Sequence, residues 1–235
     1  MKYIKNEEIR DAEGAEDAQQ ATGLLEARLQ ELRQEITELP AGFDPVQKGE
    51  LLIQTSASLV DLERGEEAFS DAREAFDIFK EAEAWEALAQ SCNNMFLADQ
   101  PDSLPALGQG IWVGVTFPEV DPELTVALLQ HVVNETPADS DGGALAATVA
   151  HYIADVRTEG KKHEDLTFFT NSLLGTVARR HSEVESQEQF QLWFERLELN
   201  DPEQFLGRMR NVIDVMVQEE WWIDRDAIWA TLPVN

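Results

Sequence analysis

Apolar residues recur along most of this chain at the three- and four-residue spacings of an α-helix and almost nowhere alternate as in a strand. Leu25, Leu29, Leu32, Ile36 and Leu39 follow one another at intervals of four, three, four and three until Pro40, which predicts a helix after Thr22 with a narrow apolar stripe. Two heptads are too few for a coiled coil, so the stripe is expected to pack on the helices that follow. Asp44-Pro45-Val46-Gln47 combines a capping carboxylate, a proline at the first helical position and a glutamine at the third, so a helix should start there. It would carry Leu51, Leu52, Ile53, Ala57 and Val60 and end near Arg64-Gly65, with the glycine expected in the left-handed terminating conformation. Further helices fit 66–80 (Ala68, Ala72, Ala75, Phe76, Phe79) and 83–98 (Trp85, Leu88, Ala89, Cys92, Phe96).

The rhythm breaks over 101–120, a Gly/Pro-rich connection around Ile111-Trp112-Val113-Gly114-Val115. A helix packed tightly at its glycines is favoured there, with a short buried strand or a linker between two lobes as alternatives. Helical signals then return from Asp121-Pro122, with Leu124, Val126, Leu128, Leu129, Val132 and Val133 as far as Pro137. Asp141 is expected to open 142–157, and 164–181 aligns Leu166, Phe169, Leu173, Val177 and His181. Ser186-Gln187-Glu188-Gln189 and Asp201-Pro202-Glu203-Gln204 have capping-box spacing and predict helices near 187–197 and 202–218. In the second of these Phe205, Met209, Val212 and Met216 share a face. A short helix after Asp224 closes the pattern. About ten helices and no persuasive strand give an all-α array, solenoid or bundle. The expected organisation is a flexible acidic arm over 1–20, a helical region over 21–100, the connection over 101–120 and a C-terminal helical lobe over 121–235.

Within the second of these regions, Trp85, Leu88, Ala89 and Cys92 sit at offsets 0, 3, 4 and 7. In that order they resemble the first helix of a tetratricopeptide repeat (TPR), with Cys92 in place of the family's usual aromatic. Ile53, Ala57 and Val60 take similar offsets upstream, and Gly65, Ala68, Ala72 and Ala75 look like the turn and second helix. From Ile53 to Trp85 is 32 residues against the family's 34, the usual terminal proline is absent, and the likeness covers about residues 50–100. The resemblance implies a groove lined by first helices that binds a peptide or folded protein. On the matching positions this groove would present Gln54, Ser58, Asp61, Glu86, Gln90 and Asn93, a polar and acidic set without the Lys/Arg clamp of repeats that hold carboxylate tails. That departure points to a neutral or basic partner.

Composition narrows the function further. The 235 residues include 46 Asp plus Glu against 18 Lys plus Arg, a net charge of −28, and the excess is spread along the whole chain. Such a field repels phosphate backbones and disfavours direct nucleic-acid binding, while it attracts basic proteins. The favoured reading of this excess is a solvated acidic surface suited to a salty cytosol, with partner attraction as the alternative. At 43% apolar residues the chain has enough material for a core. No apolar run reaches the roughly 18–20 residues of a membrane span, and the N-terminal residues lack the apolar centre of a signal peptide, so no membrane association and a cytoplasmic location are expected. Cys92 is the sole cysteine, which excludes an internal disulfide or a multi-thiolate metal site.

Catalytic motifs are not found. No GxxxxGK[ST], GxSxG or HExxH occurs, and Asp139, Asp141 and Gly142 lack the twelfth-position acid of a calcium loop, which falls on Thr148. His131 with Glu135 and His151 with Asp155 are expected as surface pairs on single helix faces. Arg179-Arg180-His181, at a predicted helix C-terminus, is expected to compensate that helix's own dipole, with docking of an acidic patch by Arg179 and Arg180 as the alternative. Trp221 and Trp222 combine large aromatic area with adjacent charge, as binding hot spots do, or else cap the core. The expectation is a non-enzymatic protein-binding adaptor or assembly factor without metal or cofactor. The alternative is an acidic structural subunit of a larger complex, with an enzyme of dispersed acid-base residues behind it.

Overall fold

The computed structural model describes residues 1–4 and 15–231. It is all-α, with eleven helices and no strand among the described residues. In chain order these are α1 (Ala15–Thr37), α2 (Pro45–Asp61), α3 (Gly65–Glu81), α4 (Trp85–Leu97), α5 (Ser103–Thr116) and α6 (Pro122–Glu135). They continue with α7 (Asp141–Arg157), α8 (Gly160–Ser182), α9 (Gln187–Arg196), α10 (Pro202–Val217) and α11 (Arg225–Thr231). Helix α1 begins ahead of Thr22, where its apolar stripe starts; most of the expected arm, residues 5–14, lies outside the described residues.

The chain forms two compact units, each assembled from two separate stretches: Met1–Thr22 with Gly110–Ile213, and Gly23–Gln109 with Asp214–Asn235. Residues from Asp214 onward therefore belong with 23–109, not with the stretch from 121 that precedes them. Helices α1, α5 and α10 each contribute residues to both units.

In the 23–109 unit, α3 packs on both α2 and α4, and α2 also touches α4. Small residues on α3 permit this. Ala68, Ala72 and Ala75 are buried without leaving bulk between helices, while Phe76 and Phe79 fill the core with Leu88, Cys92 and Met95. Leu29 of α1 closes one end against Leu59, Ala68 and Ala98, which is where the predicted apolar stripe finds its partners.

The turns between these helices follow one local design. After α2, Glu63 takes φ +58°, its N–H donates to the Val60 carbonyl, and the Arg64 N–H donates to Leu59. After α3, Glu83 at φ +52° repeats the pattern, with bonds from Glu83 to Lys80 and from Ala84 to Phe79. This double bond satisfies the last carbonyls of each helix. The expectation for Gly65 is thus corrected: Glu63 carries the left-handed conformation and Gly65 opens α3. Its missing side chain serves a close approach instead, because a β-carbon there would run into the Ala98 carbonyl and come within 2.8 Å of Gln100 Nε2.

In the other unit α7 packs on α6 and α8, and its residues 143–150 are all buried. Seven of the residues from Gly143 to Ala150 are Gly, Ala or β-branched, which lets both neighbours come close. The 101–120 segment is largely α5, and its tight packing is visible at Gly114, where an added β-carbon would meet Thr125 Oγ1 at 2.8 Å. Ser140, one residue before the predicted cap, accepts the Gly142 N–H and starts α7.

Some arginines of this cation-poor chain donate to carbonyls at helix ends. Arg157, the last residue of α7, donates Nη1 to the Gly114 carbonyl at 2.7 Å and Nη2 to Val115 at 2.5 Å, with Phe117 3.4 Å from Nη1. These are carbonyls at the end of α5, which has no basic residue of its own in its last turn. Arg208 likewise donates to Leu197 after α9. A guanidinium supplies several donors and a positive charge where orphan carbonyls gather.

Candidate interaction surfaces

The solvent-facing stripe of α2 consists of Gln47, Glu50, Gln54, Ala57 and Asp61, all exposed. Two of the expected groove residues, Gln54 and Asp61, therefore lie on an open helix face. Ser58 does not: it is 9% exposed and its hydroxyl donates to the Gln54 carbonyl of its own helix. Gln54 Oε1 accepts from Arg28 Nη2 of α1, so α1 reaches this face, a neighbour that repeat spacing alone did not reveal. On α4, Glu86, Gln90 and Asn93 are half-buried. The residue that joins the two helices is Asn94, whose Nδ2 donates to the Ile53 carbonyl at 3.0 Å. Its burial at 5% with a bond to a neighbouring helix marks it as the polar pin of the α2–α4 contact. The sequence signal was available only as an asparagine beside the apolar Met95.

Trp221 and Trp222 are half-buried and engaged within the chain. Trp222 meets Phe76 edge-on at 5.5 Å, and the Arg73 guanidinium lies over its ring at 3.9 Å. Its N–H donates to Oε1 of the fully buried Gln109, and its carbonyl accepts from Lys80. Arg225 covers the Trp221 ring at 3.6 Å. These contacts are of the kind that cap a core, and they place a cation on an aromatic face of each residue.

Arg180 and Arg179 have separate environments. Arg180 Nη2 donates to the Val133 carbonyl at 2.6 Å, so from the last turn of its own helix α8 it also serves the last turn of α6. Arg179 is exposed and borders a shallow depression of about 190 Å³ with Glu185, Ser186, Gln187 and Phe190.

His181 is at the centre of a polar cluster. Its side chain is 8% exposed, Nδ1 accepts the Trp193 indole N–H at 3.1 Å, and Nε2 lies 3.2 Å from Asp141 Oδ1. Since an indole nitrogen only donates, Nδ1 is the unprotonated nitrogen and Nε2–H faces the carboxylate. Ser182 Oγ is 2.7 Å from the same Nδ1 and accepts from Arg196. The residue types match a Ser-His-Asp triad, but the geometry serves packing: Trp193 already occupies the lone pair a general base would use. Ser182 also closes α8, at the negative end of the helix dipole, where an alkoxide is disfavoured.

The remaining histidines are partly buried, and His151 feels the charge of Asp155 on its own helix, as their spacing predicts. His151 Nδ1 is 2.9 Å from Thr170 Oγ1 on α8, and burial lowers its pKa against the opposing pull of Asp155. Asp155 stands 3.8 Å from His163. Burial brings His131 down to a pKa of about 4. The unfolded imidazole, near 6.5, binds a proton that the folded one refuses between these two values, so stability falls as pH drops from 6.5 toward 4. Replacing His131 with Leu should remove about 2 kcal/mol of the loss between pH 7 and pH 4.5. Urea titrations at the two pH values measure it, and an identical loss in both proteins would refute it.

Burial also raises the Cys92 thiol, which keeps it protonated and inert. Among the described residues no three His, Cys, Asp or Glu side chains gather as a metal site, and no helix is long and apolar enough to cross a membrane. No family model, curated protein or solved structure matches this chain.

Proposed function

We propose that this protein is a cytoplasmic, non-enzymatic adaptor or assembly factor that recognises a neutral or basic protein partner through the polar face of its α2–α4 helices, in the manner of a TPR-like groove. The observation that supports this most directly is the exposed stripe Gln47, Glu50, Gln54 and Asp61 on α2, set beside the half-buried Glu86, Gln90 and Asn93 of α4 and pinned by Asn94. Helices α2 and α4 are in contact, and these residues are amides and carboxylates of the kind such a groove would present. The net charge of −28 steers a basic partner toward it and away from nucleic acid. Helices α2, α4, α6 and α8 begin at residues 45, 85, 122 and 160, a spacing somewhat longer than the 34 of the family the sequence resembles.

Replacing Gln90 and Asn93 together with Ala should weaken partner capture at least fivefold without changing helicity. Capture by the wild type should fall as salt rises from 50 to 500 mM. Affinity isolation with immobilised protein, followed by circular dichroism of the variant, measures both; unchanged capture would remove the α2–α4 face from the mechanism. The reading as a structural subunit of a larger complex draws on Val215 and Trp229, large apolar side chains that are 72% and 55% exposed. Under that reading the isolated chain self-associates.

A further inference from the structure

His181 ties its own helix α8 to α7 and α9, and the chemistry of its neighbours makes one of these ties depend on a proton. In the neutral ring Nδ1 accepts the Trp193 indole N–H at 3.1 Å, and Nε2–H faces Asp141 Oδ1 at 3.2 Å. The Ser182 hydroxyl also lies at Nδ1, 2.7 Å away. An indole nitrogen only donates, whereas a hydroxyl both donates and accepts. A proton added at Nδ1 therefore finds an acceptor in Ser182 Oγ, while the indole N–H is left facing another N–H. The imidazolium has both nitrogens satisfied, by a carboxylate and a hydroxyl. Trp193 becomes a buried donor without its acceptor, which disfavours the packed position of its ring.

The helix that depends on this bond is α9, which packs on α8. Of its ten residues only Trp193 is buried. Phe190 lies 5.5 Å from the Trp193 ring and stacks on Phe194 at 5.7 Å, so the aromatic side chains of α9 form one group around the indole. We propose that His181 is a proton-operated latch: the neutral imidazole holds α9 on α8 through Trp193, and protonation at Nδ1 passes the ring to Ser182 and loosens α9. Asp141 on α7 favours the protonated form. Arg180 on α8, Arg196 on α9, whose Nη2 donates to Ser182 Oγ at 3.0 Å, and Arg208 on α10, 3.8 Å from Asp141, oppose it. An imidazole is the side chain whose charge ordinarily changes between pH 5 and 8, so mild acidification operates the latch. The device lies apart from the α2–α4 face and does not rest on the adaptor reading.

Hydrogen exchange of the α9 amides at pH 7.5 and 5.5, corrected for the intrinsic pH dependence of exchange, tests the latch, with the Trp193 indole N–H signal followed by NMR over the same range. In the wild type, α9 protection should fall by about tenfold at the lower pH, and the indole signal should shift in a single step. His181→Asn places an amide oxygen near the position of Nδ1 and takes no proton in this range, so it should hold α9 equally at both pH values. His131, His151 and His163 titrate alike in both proteins, so their effects cancel in the comparison. Asp141→Asn removes the carboxylate that favours the imidazolium and should move the release of α9 to lower pH by about half a unit. Unchanged α9 protection in the wild type, an equal fall in His181→Asn, or release at the same pH in Asp141→Asn would each overturn the proposal. Should His181→Asn not fold, the wild-type profile and Asp141→Asn decide it.

Discussion

Replacing Arg157 with Ala should destabilise the protein by about 3 kcal/mol. The guanidinium bonds Gly114 and Val115 closely and approaches Phe117, so it joins the end of α7 to the end of α5 and gives donors to carbonyls of the last turn of α5, of which Gly114 also accepts from Thr125 Oγ1 and Phe117 from the Val120 N–H. Burial lowers its pKa from the usual arginine value, yet a guanidinium stays cationic throughout the physiological range, so the cap does not switch with pH. Removing it takes the guanidinium bond from Val115 and leaves Gly114 with the Thr125 hydroxyl at 3.3 Å and Phe117 with the Val120 N–H at 3.2 Å. In a domain of this size the loss corresponds to about 6–12 °C in Tm. Arg157→Lys keeps the charge but offers one ammonium in place of a fork, and should recover less than half of the loss. Thermal melts of the three proteins decide it, and an Ala variant within 2 °C of wild type would show that water or a neighbouring side chain takes over the cap.

Gly65→Ala is the second large effect, and its sign opposes helix propensity. At an unhindered helical site the change from Gly to Ala stabilises by up to about 1 kcal/mol. Here the new methyl meets the backbone carbonyl of Ala98, which is fixed by the end of α4 and cannot swing aside as the Gln100 side chain can. Overpacking of this kind costs about 1–3 kcal/mol and outweighs the propensity gain, so a net loss of about 2 kcal/mol is expected. The contrast is Glu63→Gly, two residues earlier. Glu63 holds φ +58°, a conformation that costs a side-chain-bearing residue about 1 kcal/mol, and it has an exposed side chain. Glycine there should stabilise by about 0.5–1 kcal/mol. Chemical denaturation of the two variants measures both signs; a stabilised Gly65→Ala would mean that α3 can shift away from α4.

Much of the helical framework could be read from side-chain chemistry because that chemistry is local. Asp44 accepts the Val46 N–H, Asp121 the Glu123 N–H, and Ser186 and Gln189 form the reciprocal capping box their spacing predicts. Apart from α5, helix boundaries from 45 onward fall within a few residues of their predicted places for the same reason. Gly65 shows where local reasoning stops. A glycine near a helix end suits either a left-handed turn or a close approach, and only the position of Ala98, thirty-three residues on, separates the two. Arg180 and His131 make the same point for charge. Proximity along the chain suggested the dipole of α8 and a pair with Glu135; packing adds the Val133 carbonyl as a partner of Arg180 and the burial that lowers the pKa of His131. The expected groove was legible in part: Gln54 and Asp61 face outward as helical periodicity requires, but neither Arg28 lying at Gln54 nor the pin at Asn94 follows from repeat spacing.

The assembly of the Gly23–Gln109 unit from two distant stretches bears on how the protein is made. Gln109 receives the Trp222 N–H, and Phe76 receives the Trp222 ring, so the region translated early lacks these contacts until a segment more than a hundred residues downstream has left the ribosome. During that interval its apolar surface waits uncovered, a window in which nascent chains depend on chaperones. A fragment cut at residue 110 would keep α2, α3 and α4 but lack the contacts that Trp222 brings to them.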